Sequence, residues 1–165
     1  TGDVCNMESY MKRGWCRAEQ LSCKFGHGGH DMYWTQGGEL MEFNEQSLRR
    51  HGGQDWLAMP FEVFNHTSQF TCCSRLHGCD RNGDPHPCDR HALMLPMLGL
   101  YAKMLARREE PRFAALLPQV EGRIDDIFPR QIIVTREGGD ATEQLFGNLV
   151  QRIARHVLEG GDACQ

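Results

Sequence analysis

The chain has 165 residues, 40% of them hydrophobic and 24% charged, with a formal net charge of −4. That length suits one domain over 1–165, able to bury roughly 70% of its unfolded surface. The acidic balance excludes a nucleic-acid or anionic-membrane partner on electrostatic grounds. Arg107, Arg108 and Arg112 form a small basic patch, but Glu109 and Glu110 lie among them, which reads as a solvated helix end. The most apolar run, 92–102, is about half of the roughly 20 residues a bilayer requires, so no transmembrane segment is expected. The sequence starts at Thr1 with no charged or apolar leader, so no targeting signal is read.

In chain order, 9–25 reads as helical in its second half. Trp15, Ala18, Leu21 and Phe25 form an apolar stripe, with Gly14 at the start and Arg17 and Glu19 on the solvated side. The tract Gly26-His27-Gly28-Gly29-His30 breaks the helix, and His27 and His30 read as a surface loop rather than a metal pair. Residues 31–43 read as two short strands around Gly37-Gly38. Asn44 is placed to cap a short helix through Arg50, ended by Gly52-Gly53, and 56–66 is expected to add a third strand.

A long helix is expected over 89–110, with Leu93, Met94, Met97, Leu98, Tyr101, Met104 and Leu105 covering a wide face and Pro96 as a kink. Pro111 suits the first turn of another helix, to about Leu117. Ile132-Ile133-Val134 reads as a buried strand. Asp140 and Glu143 have capping-box spacing, which predicts a last helix over 140–159 that Gly160 ends. The fold class is therefore a helix-rich α+β single domain with a small antiparallel sheet and a Cys/His-rich loop. Residues 1–70 supply a helix plus the sheet, 71–91 the loop and 92–165 the helical part.

The chemistry concentrates in that loop, where four cysteines and three histidines lie between Cys72 and His91. A structural zinc site takes four thiolate or imidazole ligands in a tetrahedron, and the candidates are Cys72, Cys73, His77, Cys79, Cys88 and His91. The turn-rich 80–85 segment lets the chain fold back. Adjacent Cys72 and Cys73 are expected to point apart, so only one of them would serve. Two other readings stand beside zinc: a Cys79–Cys88 disulfide, and reduced cysteines packed as small hydrophobes, which leaves no cofactor at all. Asp80, Asn82 and Asp84 start like a calcium loop, but Pro85 and His91 stand where glycine and glutamate belong. The Asn65-His66-Thr67 tripeptide is read as a chance sequon.

The segment Tyr10-Met-Lys-Arg-Gly-Trp15-Cys16-Arg17-Ala18-Glu19-Gln-Leu21 resembles the Trp-Cys-x-x-Glu helix of Toll/interleukin-receptor (TIR) domains. In the enzymatic members a glutamate on this helix serves in cleaving NAD, so the resemblance implies Glu19 as a catalytic carboxylate, with Gln20 interrupting the family's Glu-Leu pair. A carboxylate suits stabilisation of an oxocarbenium-like transition state. TIR domains place parallel strands before this helix, where this chain has fourteen residues. More of the chain resembles an uncharacterised Cys-rich family of dinoflagellate algae, through Thr1-Gly-Asp-Val-Cys5, Arg13-Gly-Trp-Cys-Arg-Ala-Glu19, Phe70-Thr-Cys-Cys73, His77 and Pro87-Cys88-Asp89. That resemblance implies that this chain corresponds to the C-terminal portion of such a protein.

No P-loop, dinucleotide fingerprint, nucleophile elbow or His-Glu-x-x-His motif occurs. The leading expectation is a non-catalytic structural or interaction module, a peripheral subunit with protein partners in a larger assembly. Its expected location is intracellular, and the algal resemblance adds a chloroplast or photosynthetic complex as a host. The alternatives are a TIR-like NAD hydrolase using Glu19 and a zinc-binding adaptor built on the 72–91 loop.

Overall fold

Local capping and glycine placement set the N-terminal half. The structure, a computed structural model, describes residues 6–27, 32–36, 38–50, 58–78, 81–84 and 86–160. Helix α1 (Met7–Lys12) starts at Asn6, whose side chain accepts from the Ser9 amide at 2.8 Å while Ser9 Oγ accepts from the Asn6 amide at 3.0 Å. Two orphan donors of the first turn are thereby satisfied. The chain then extends for one residue. The Gln69 amide donates to Lys12 O (2.9 Å) and the Gly14 amide to Gln69 O (2.8 Å), a parallel bridge between Arg13 and Gln69.

Helix α2 (Gly14–His27) follows at once. A Cβ on Gly14 would stand 2.2 Å from the Phe70 ring, so glycine is needed here for close approach rather than for a turn. Ala18, Leu21 and Phe25 are buried as the stripe predicts, but two neighbours differ from expectation. Trp15 is 44% exposed, its Nε1 donating to Asp89 Oδ2 at 3.0 Å. Arg17 is 2% exposed and donates to Met11 O (2.6 Å), Glu62 O (3.2 Å) and Thr67 Oγ1 (3.0 Å). Arg17 lies four residues before Leu21 and so shares its inward face. Its hydrogen bonds make burial of the charge tolerable.

Strands β1 (Tyr33–Gln36) and β2 (Glu39–Glu42) pair antiparallel, with Gln36 opposite Glu39 and Gly38 in the turn before β2, while Gly37 lies outside the described residues. Asn44 accepts from the Ser47 amide at 2.8 Å and caps α3 (Glu45–Arg50). Gly52, Gly53 and Trp56 lie outside the described residues. The expected third strand is replaced in its described part by a single 3-10 turn, Met59–Glu62. Pro60 has no amide hydrogen to give to a sheet and suits a first helical turn instead. A small cluster of Met11, Trp34, Phe43 and Leu48 joins this hairpin to α1 and α3.

In the second half come α4 (Thr71–Ser74), α5 (Asp89–Ala106), α6 (Pro111–Glu121) and α7 (Ile124–Ile127). Helix α5 continues through Pro96, and α6 runs past Leu117 with Pro118 inside it. Strands β3 (Gln131–Arg136) and β4 (Gly139–Gln144) form a second antiparallel hairpin. The predicted helix start at Asp140 is therefore a strand. Asp140 Oδ1 accepts from Thr135 Oγ1 across the hairpin at 2.7 Å, and Glu143 pairs with Arg136 at 2.7 Å. The Asp-x-x-Glu spacing was outweighed by the Glu137-Gly138 turn, with Gly139 at φ +112°, and by the β-branched run opposite. The last helix, α8, covers Leu149–Gly160.

The fold is thus helix-rich α+β, with two separate two-stranded hairpins in place of one sheet. Helix α5 packs between α2 and α8. Around it Phe25, Phe64, Tyr101, Phe128 and Phe146 form an aromatic core, Phe64 meeting Phe146 edge-on with centroids 4.8 Å apart. Among the described residues no helix is long and apolar enough to cross a membrane.

The Gly14–Phe70 contact gives a direct test of this packing. Gly14→Ala is expected to cost about 1–3 kcal/mol in urea unfolding. In a Phe70→Leu background the added cost of the alanine should shrink, because the obstructing ring is gone.

Candidate metal centre

Four side chains converge where α4, the turn after it and the start of α5 meet. Cys72 and Cys73 lie in the single turn of α4, and Cys88 is the residue before α5. Their sulfurs form a near-equilateral triangle: Cys72–Cys73 3.9 Å, Cys72–Cys88 3.9 Å and Cys73–Cys88 3.8 Å. His77 completes the group, and one ligand atom from each of the four lies within 4.8 Å of every other. Cys88 and His77 are buried, while Cys72 and Cys73 are half-buried.

The sequence expectation that Cys72 and Cys73 diverge does not hold, because they sit in a helical turn. Successive side chains are about 100° apart in a helix, against 180° in a strand, so two neighbouring sulfurs can reach one point. His77 arrives by a different device. Leu76, His77 and Gly78 have φ of +52°, +62° and +49°, three left-handed residues in a row. This sharp reversal, fixed by the His77 amide donating to Cys72 O at 2.8 Å, turns the imidazole back over the sulfurs. The conformation is costly for Leu76 and His77, which carry a Cβ.

The imidazole has a defined tautomer. Nδ1 lies 3.2 Å from Thr135 O on β3, so Nδ1 carries the proton and donates, leaving the Nε2 lone pair free. Nε2 is buried, with no nitrogen or oxygen partner, and faces the Cys88 sulfur. A backbone carbonyl on one imidazole nitrogen and an unshared lone pair on the other is the arrangement of a metal-ligating histidine.

Donors also surround the sulfurs. The Asp89 amide points to Cys72 Sγ at 3.3 Å, and Arg90 Nη1 lies 3.2 Å from Cys73 Sγ and 3.8 Å from Cys88 Sγ. Proton affinities in the cluster split accordingly. Cys88 is pushed up to about 12 by its hydrogen bond with Cys73 and by burial. The same hydrogen bond, with help from Arg90, lowers Cys73, whereas burial raises Cys72. Of the three thiols, Cys73 is therefore the one most ready to give up its proton. Four soft donors of this kind can hold a metal ion.

The other predicted site residues lie elsewhere or outside the described residues. His91, in the first turn of α5, directs Nε2 to Gln144 O (3.3 Å) and Glu143 Oε2 (3.6 Å) on β4. Cys79, and with it the expected Cys79–Cys88 disulfide, lies outside the described residues. Of the calcium-loop residues, Asp80 lies outside the described part, and Asn82 and Asp84 sit in an exposed turn. His27 is exposed at the end of α2, and His30 lies outside the described residues.

Glu19 is exposed on α2, where its Oε2 accepts from the Tyr10 hydroxyl at 3.3 Å. Burial, with the nearby charges of Cys16 and Glu19, holds Tyr10 up at about 12. A cavity lined by Met7, Tyr10, Gln20, Met32 and Trp34 opens beside this helix, with Gln20 rather than Glu19 on its wall among the described residues. No protein-family model, curated protein or solved structure matches the chain.

Sequence reasoning missed Arg90 and the Thr135 carbonyl. An arginine two residues after a cysteine carries no signal of its own, and a backbone carbonyl 58 residues from His77 carries none.

The left-handed run makes opposite predictions at two adjacent sites. Leu76→Gly is expected to raise stability by about 1 kcal/mol and Gly78→Ala to lower it by about as much, both read from urea midpoints.

Proposed function

We propose that this chain is a non-catalytic structural and interaction module whose Cys72/Cys73/His77/Cys88 centre holds a structural zinc ion. The observation that carries the reading is the buried Nε2 of His77 facing a triangle of sulfurs 3.8–3.9 Å on edge. Ligands about 2.3 Å from a tetrahedral zinc stand about 3.8 Å apart, whereas a disulfide needs about 2.0 Å. Packed thiols alone would also touch near this distance. A buried imidazole nitrogen whose nearest partner is the weakly donating Cys88 thiol is poorly satisfied by packing alone, and an ion accepting its lone pair would recover that cost.

Three thiolates and one imidazole suit zinc over calcium or magnesium, which prefer oxygen. Four protein ligands also leave no open position for water or substrate, the mark of a structural rather than a catalytic centre. The ion would tie α4 to the start of α5 and, through His77 and Thr135, to β3. A reducing, intracellular compartment suits a site whose cysteines must remain thiolates.

An interaction role is supported by apolar side chains left uncovered. Tyr33 and Leu40 stand exposed on one face of the β1–β2 hairpin, where a partner protein in a larger assembly would bury them.

Native mass spectrometry of the intact chain, with and without a strong chelator, tests the metal. One zinc per chain is expected, with Cys88→Ser and His77→Ala each weakening zinc by more than about 100-fold and chelation lowering the thermal midpoint. A fully folded preparation that takes up no zinc would refute the reading. For the interaction role, gentle isolation from the native source is expected to bring partner proteins along, and a monodisperse lone monomer would count against it.

A further inference from the structure

Two guanidinium groups are deeply buried among the described residues, those of Arg17 and Arg90, and they differ in one respect. Arg17 has a carboxylate nearby, Glu62 Oε2 at 3.8 Å. Arg90 is 5% exposed and forms no ion pair with any carboxylate among the described residues. Its Nη2 donates to Asn65 O at 3.1 Å and Ser68 O at 2.9 Å. The guanidinium carbon lies 5.0 Å from the Phe70 ring centroid. These contacts hold the plane of the guanidinium and leave Nη1 pointing between Cys73 Sγ (3.2 Å) and Cys88 Sγ (3.8 Å).

A buried guanidinium with no anion is strongly unfavourable, and arginine does not shed its proton to escape the cost. The anion it needs has to stand at Nη1, where only sulfur lies. Three neutral thiols would leave the charge unmatched, three bare thiolates would overmatch it, and a lone Cys73 thiolate would match it only while the other two cysteines stay protonated. Three thiolates around one divalent cation leave a single negative charge, which one guanidinium balances.

We propose that Arg90 is the counter-ion of the metal centre, neutralising the monoanionic three-thiolate complex and so setting how tightly the ion is held. This rests on the zinc reading above and adds a residue that is not itself a ligand. The donors are shared out to match. Cys73 and Cys88 receive Nη1 of Arg90, and Cys72 receives the Asp89 amide, so each thiolate has a donor that withdraws charge from it.

The test uses the full chain loaded with zinc. Wild type, Arg90→Met and Arg90→Lys are compared by competition with a chelator of known affinity, and their thermal midpoints are measured with and without zinc. Arg90→Met is expected to hold one zinc still, about 10- to 100-fold more weakly. Its midpoint should fall further in the loaded protein than in the metal-free one, because the loaded centre always carries the negative charge that Arg90 faces. Arg90→Lys, which keeps the charge but not the fork, should recover most of the affinity.

Wild-type zinc affinity in Arg90→Met would overturn the proposal. So would an equal fall in midpoint with and without zinc, since Arg90 would then be only a tie between the Asn65 and Ser68 carbonyls. If Arg90→Met does not fold, Arg90→Lys decides: affinity within about tenfold of wild type supports a counter-ion, and complete loss of zinc from the folded variant overturns it. Failure of wild type itself to bind zinc removes the earlier reading as well, and is seen before any variant is made.

Discussion

Three sulfurs and an imidazole nitrogen drawn within 4.8 Å of one another impose the constraint around which the rest of the molecule is arranged. Bringing residues 72, 73, 77 and 88 to one point closes a loop of about seventeen residues, an entropic cost that scattered thiol contacts repay poorly. Within the segment between them the His86 amide donates to Gly78 O at 3.2 Å and Arg136 to His86 O at 3.2 Å. The ends of the loop are set in the core. Phe70, just before α4, is buried against Gly14 of α2. Asp89, just after Cys88, takes the Trp15 indole hydrogen. Helices α2, α4 and α5 and strand β3 therefore all meet at the cluster, and an ion there would fix their mutual positions rather than decorate a surface.

Much of the framework was legible in the sequence because it follows from short-range rules. The Gly37-Gly38 hairpin, the Asn44 cap and the apolar stripe of α5 each need only residues a few positions apart. Asp140 and Glu143 show where such rules stop. Their spacing satisfies a capping box, yet a strand partner at Ile132–Val134 turned the same residues into the second arm of a hairpin. Arg17 shows a second limit. A charged residue on the inward face of a helix looks solvated until the Met11 and Glu62 carbonyls and the Thr67 hydroxyl that receive it are known, and two of those lie at least 45 positions away.

The cluster was half legible for the same reason. Residue type and density marked the 72–91 loop, and four of its six candidate ligands come together. Which four depended on backbone conformation that the sequence does not declare. A helical turn aims Cys72 and Cys73 together, and a left-handed run with only one glycine swings His77 inward. His91 is diverted because the first turn of α5 faces β4, where Glu143 and the Gln144 carbonyl receive it. The arginine that stands against the sulfurs had no motif to announce it.

Charge and coordination together argue for a role in shape rather than in chemistry. A catalytic zinc needs a coordination position open to water or substrate, and here the His77 imidazole, held by Thr135, would fill the fourth position. A reactive thiolate needs its electron density, and here donors stand against all three sulfurs. Glu19 stands exposed with a tyrosine hydroxyl as its neighbour, a setting open to water. The groups most constrained by the fold are thus the ones best suited to hold an ion still, and the most available carboxylate is the least constrained. A molecule built in this way would present its surface, including the exposed Tyr33 and Leu40, on a frame whose geometry an ion in the cluster would set.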